Sequence, residues 1–96
     1  MNLAALSSLI TRHQEELYSR GVKNLSVFGS LARGEESDSS DIDLLVEFDR
    51  PVGLFEFIRL KLFLQNLTGK SVDLVTPDAL RPGMRKKILN EIIHIF

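Results

Sequence analysis

The sequence predicts a single mixed α/β (α+β) domain, a small sheet with helices packed on it. Three observations carry that prediction. The short stretches "NLSVF", "DIDLLVEF" and "SVDLVT" have the branched, apolar character of strands. Three longer stretches repeat their apolar residues at helical spacing. Glycines and prolines punctuate these segments, and no linker, repeat or low-complexity stretch divides them. Residues 1–96 are therefore read as one domain.

Taken in order, residues 2–21 read as an amphipathic helix. Leu6, Ile10, His13 and Leu17 share its apolar stripe, and Gly21 is its stop. "NLSVF" is a strand ending at Gly29, "SLAR" a short helical turn, and "DIDLLVEF" a second strand. Leu54 to Leu67 is a helix ended by Gly69, and "SVDLVT" is a third strand. Pro77 and Pro82 mark a loop. "MRKKILNEIIHI" is a last helix, with Met84, Ile88, Leu89 and Ile92 on one side and an end that is either helical or extended. The Leu54–Leu67 helix is apolar well beyond the ~100° stripe that packing on one sheet needs. Either it is wedged between the sheet and another helix, or it carries a second apolar face for a partner chain.

Composition excludes several classes. The chain has no cysteine, so disulfides, thiolate zinc sites and cysteine nucleophiles are ruled out. That fits a reducing, cytoplasmic location. There is no apolar run long enough to span a membrane, and the first residues lack the pattern of a secretory leader. The net charge of −1 is split. Residues 1–48 carry four Lys/Arg against eight Asp/Glu, and residues 49–96 carry eight against five. Non-specific nucleic-acid binding needs a broad basic surface. No nucleic-acid or membrane partner is expected.

The acidic excess surrounds one feature. In a strand, alternate side chains share a face. Asp41 and Asp43 therefore point the same way, roughly 6.5 Å apart, while Ile42, Leu44 and Val46 build core on the other face. Asp is disfavoured in strands. The third strand repeats the pattern with Asp73 between Val72 and Leu74. If the strands pair with these faces aligned, three carboxylates converge and repel. Divalent cations relieve that repulsion, and hard oxygen ligands suit Mg²⁺ or Mn²⁺. Two such ions about 3.5–4 Å apart clamp the attacking and leaving oxygens of a phosphoryl displacement.

The Gly29–Ser30 turn complements this acidic set. A strand that ends there and opens a helical turn exposes backbone N–H groups to an anion. Gly29 lets a phosphate approach the backbone, and the Ser30 hydroxyl can donate another hydrogen bond. Arg33 either neutralises phosphate charge or pairs with Glu35 or Asp38. Ser39 and Ser40 either touch phosphate or solubilise the loop. An EF-hand, a P-loop and a G-x-G-x-x-G motif are absent. His13 reads as a packed helix residue, His94 has no evident partner, and Arg85, Lys86 and Lys87 read as a solvated helix face.

"GSLARGEESDSSDID" resembles the GS-x10-D-x-D signature of the polymerase-beta-type nucleotidyltransferase superfamily, with Leu31 to Ser40 as the ten-residue gap. "FGSLARG", "SDSSDIDLLVEF", "GLFEFIRLK" and "VDLVTPDALRP" resemble, in order, the minimal nucleotidyltransferase (MNT) family. The resemblance implies a nucleotidyltransferase fold, a small mixed sheet with helices packed mainly on one face. It implies ATP held at Gly29 and Ser30, with Arg33 retained beside them and Ser40 a candidate further contact, and Mg²⁺ (two ions, with Mn²⁺ an alternative) held by Asp41, Asp43 and Asp73. Asp73 would also help deprotonate the acceptor. Relatives often carry arginine where this chain has Leu31, which implies one cation fewer at the phosphates.

MNT proteins commonly act as antitoxins paired with a HEPN-type toxin, and some transfer AMP to a tyrosine of that partner. The resemblance thus implies an adenylyltransferase antitoxin in a hetero-oligomer with its toxin. At 96 residues the chain has no room for a separate acceptor-binding domain, so a partner is expected to bring the acceptor. The alternative is a non-catalytic antitoxin that neutralises the toxin by covering it with the broad apolar helix. Transfer to a small molecule is a third reading, for which no acceptor pocket is evident in the sequence.

Overall fold

The computed structural model describes residues 1–35 and 41–96. The chain opens with two helices, α1 (Leu3–Arg12) and α2 (Gln14–Ser19), and continues through strand β1 (Val22–Phe28) into the short helix α3 (Gly29–Ala32). Strand β2 (Ile42–Phe48), helix α4 (Leu54–Thr68) and strand β3 (Val72–Val75) follow. A 3₁₀ turn (Pro77–Ala79) leads into helix α5 (Pro82–Glu91) and a short strand β4 (Ile93–His94).

Two expectations are corrected. The first helix is broken at His13. Its ring Nδ1 donates to the Leu9 carbonyl at 2.9 Å, the acceptor that an unbroken helix would give to the His13 backbone N–H. That N–H turns instead to the Ile10 carbonyl at 2.9 Å, so one side chain competes with the helical ladder and ends it. The second strand begins at Ile42, one residue later than expected, leaving Asp41 just outside the sheet. The open question at the C-terminus is answered by β4: the last residues are extended and pair with β1.

The sheet has the order β3-β2-β1-β4. β1 pairs antiparallel with β2 and with β4, and β2 pairs parallel with β3. The main core lies on one face of the sheet. It joins Leu25, Val27, Ile42, Leu44, Val46, Val72 and Leu74 to Leu6, Ile10 and Leu17 of the first helices and to Leu60 and Leu64 of α4. Burying side chains of this size contributes roughly 1.5–3 kcal/mol each. On the other face a smaller cluster seats α5, where Ile88 meets Phe28 and Leu45.

α4 uses only part of its apolar circumference. Leu60 and Leu64 are buried. Leu54 and Phe55 are 71% and 75% exposed, and Ile58 and Leu62 are also exposed. No other helix of the described chain covers these four, so the reading of α4 as wedged between sheet and helix fails for that face. Among the described residues, no helix is long and apolar enough to cross a membrane.

Candidate active site

Strand register assembles the site. Because β1 and β2 are antiparallel with Phe28 opposite Asp43, the end of β1 lies beside the start of β2. Gly29 follows immediately with φ +74°, a backbone conformation that glycine adopts without steric penalty. A Cβ added to Gly29 would land on Asp43 Oδ2 and lie 3.0 Å from its Cγ. The turn and the carboxylate are in contact only because that side chain is missing.

β3 then supplies a second acid. In the parallel pairing of β2 and β3, Asp43 is level with Asp73, flanked by the pairs Ile42–Val72 and Leu44–Leu74. The two carboxylates therefore leave the same face of neighbouring strands, about 4.8 Å apart at the backbone. Asp41 and Asp73 are exposed and Asp43 is half-buried. The Asp43 carboxyl is held above its ordinary pKa, first by burial, then by the charges of Asp73 and Asp41, with Arg33 acting in the opposite direction.

Arg33 closes the other side. Its Nε donates to Glu35 at 3.0 Å and its NH1 to Glu91 at 3.3 Å. The expected Glu35 pairing is present, and Asp38 and Ser40 lie outside the described residues. Ser30 is half-buried in α3, next to Gly29. Leu31 is 4% exposed and packs in the main core, so its side chain is a core group in this chain. Glu91 was not singled out from sequence. Its backbone-facing oxygen accepts a long hydrogen bond of 3.4 Å from the Gly29 N–H. A signal was available: an acid as the last residue of a helix opposes the helix dipole and wants a local reason.

Among the described residues, no three acidic or imidazole side chains form a complete metal cage. The donor set nevertheless fits Mg²⁺ or Mn²⁺. These ions keep several waters and bind through one or two carboxylates plus substrate phosphates. The like-charge repulsion on Asp43 is the unbalanced charge that a divalent cation offsets.

An anion-accepting glycine turn abutting paired carboxylates, at one end of a small mixed sheet, defines a nucleotidyltransferase-type domain. The family described as "nucleotidyltransferase domain" matches residues 8–95, and the chain belongs to it. The chain is 40% identical over 96 residues to the protein adenylyltransferase MntA of Thermococcus cleftensis, covering 99% of this chain and 97% of that protein. It superposes on the solved structure of a minimal nucleotidyltransferase with a TM-score of 0.83 at 39% identity, covering 97% of this chain and 95% of that one. The fold is shared with the MNT antitoxin complex of a tri-AMPylated HEPN toxin from Shewanella oneidensis. There the TM-score is 0.69 at 15% identity, over 95% of this chain and 71% of that one.

Proposed function

We propose that this chain is a protein adenylyltransferase acting as an antitoxin, which transfers AMP from ATP to a hydroxyl, with tyrosine as the favoured acceptor, on a partner HEPN-type toxin. The observation that carries the reading is the contact of Gly29 with Asp43, which sets a phosphate-accepting turn against a pair of acids. Similarity to an adenylyltransferase and to an antitoxin complexed with its AMPylated toxin supports the direction of transfer and the class of acceptor.

In this mechanism the Gly29 N–H, the Ser30 hydroxyl and the Arg33 guanidinium hold the phosphates, with Ser40 as a further expected contact. Asp41, Asp43 and Asp73 hold Mg²⁺. When bound, the metal supplies Lewis-acid stabilisation of the phosphoryl oxygens. Asp73 orients the acceptor hydroxyl and takes its proton. The hydroxyl oxygen bonds to the α-phosphorus, the bond from that phosphorus to the bridging β-oxygen breaks, and pyrophosphate leaves. Incubating the purified toxin with ATP labelled at the α-phosphate tests the reading. Label should pass to the toxin, and transfer that persists in Asp41→Asn and Asp43→Asn would refute the mechanism.

The exposed apolar face of α4 favours a second reading, neutralisation by covering the toxin. The Asp41→Asn, Asp43→Asn double variant separates the two. If it still protects cells from the toxin, covering suffices; if protection is lost while the complex still forms, transfer is required.

A further inference from the structure

Glu91 is bound where the proposed function needs an anion to be. Its Oε1 accepts from the Gly29 N–H at 3.4 Å and from Arg33 NH1 at 3.3 Å, and its Oε2 lies 3.4 Å from the same Arg33 nitrogen. These donors are two of the groups assigned above to the triphosphate. The contact joins residues 62 positions apart, so it is a feature of the tertiary fold and not of a local turn.

The placement is electrostatically poor apart from those donors. Glu91 ends α5, where the free carbonyls disfavour a negative charge. Its charge also adds to the repulsion felt by Asp43. Its side chain is 22% exposed, and Ile88, one turn earlier, anchors the helix against Phe28 and Leu45. The carboxylate is thus delivered to the turn by a packed element.

We propose that Glu91 is a positioning residue that stands in for a nucleotide phosphate. It holds the Gly29 turn and Arg33 in the nucleotide-free chain and is exchanged for phosphate when ATP binds. The inference rests on the phosphate role assigned to Gly29 and Arg33. An occupant that must leave lowers the apparent affinity by the fraction of chain it blocks. Removing its charge should therefore loosen the fold and tighten nucleotide binding together. A purely structural residue would loosen the fold and leave binding equal or weaker.

The test is the dissociation constant for ATP with Mg²⁺, measured by calorimetric titration of the full chain without a partner. Thermal melts run alongside. Glu91→Gln and Glu91→Ala are expected to bind about two- to fivefold tighter than wild type, the range a partly exposed ion pair supports, while both melt at lower temperature. Wild type that binds ATP, with both variants binding equally or more weakly, overturns the stand-in role and leaves the adenylyltransferase reading intact. Wild type that binds no ATP overturns both. Loss of wild-type binding in Asp43→Asn identifies the measured site as the one described here.

Discussion

Gly29→Ala tests the site most directly, and Gly34→Ala is its internal control. Both glycines have φ +74°. An L-residue there costs about 1–2 kcal/mol from backbone sterics alone. At Gly34 an added Cβ meets none of the described residues within 4 Å, so alanine pays only that cost. At Gly29 the same Cβ lands on the Asp43 carboxylate. Either the carboxylate or the turn must shift, an overpacking term of about 1–3 kcal/mol. For a domain of this size each 1 kcal/mol lowers Tm by about 4–8 °C. Gly34→Ala should therefore cost roughly 5–15 °C. Gly29→Ala should cost more by about one further such step, and both should remain folded at room temperature. The rates should separate more sharply. A displacement on the order of 1 Å at a reacting centre costs about 10²-fold, so AMP transfer should collapse in Gly29→Ala and persist in Gly34→Ala. Thermal melts and α-phosphate label transfer read both quantities. Equal transfer rates in the two variants would refute the idea that the turn and Asp43 form one site.

Other consequences follow from the same geometry. The raised Asp43 pKa means that the folded, metal-free chain binds a proton more readily than the unfolded chain does. The associated stability is fully present below the ordinary value of 3.8 and is lost as pH rises through the folded value. Asp43→Asn should thus stabilise the chelator-treated protein at pH 7, and urea melts should show that gain shrinking toward pH 4. Ile88→Ala should cost about 2–4 kcal/mol by opening the cluster under α5, measurable by chemical denaturation. Phe55→Ser, at a side chain 75% exposed, should leave the isolated chain's stability within about 0.5 kcal/mol. The same variant should weaken capture of the toxin in a binding assay if α4 is the docking face.

The sequence made the sheet legible through its strand periodicity. Ile42, Leu44 and Val46 fall opposite Asp43, and Val72 and Leu74 flank Asp73, which assigns those apolar sets to the main core, while Leu45 departs from the alternation and builds the smaller cluster on the other face. The level pairing of Asp43 with Asp73 was conditional on strand register, which alternation alone leaves free, and the parallel β2–β3 ladder supplies it. The break at His13 was illegible because it depends on one ring nitrogen competing for the Leu9 carbonyl, at a position whose spacing suits the helical stripe. Glu91 was legible only in part: an acid closing α5 signals that some partner offsets its charge, but the partners, Gly29 and Arg33, are remote in sequence and nothing local to α5 names them.

The site sits where it does because of how three strand ends meet. β1 ends at Phe28 exactly opposite Asp43, and β3 runs parallel to β2 with Asp73 level with Asp43. One end of the sheet therefore collects a glycine turn and two acids without removing a residue from the main core, which occupies the opposite face. Farther along the acidic face, Leu45 and Ile88 bury each other and fix α5. The helix that closes this face is the one whose last residue reaches back to Gly29 and Arg33. Packing of α5 and the state of the turn are therefore mechanically linked. A substitution that loosens Ile88 should disturb the turn through Glu91, even though Ile88 is not itself among the acids or the donors.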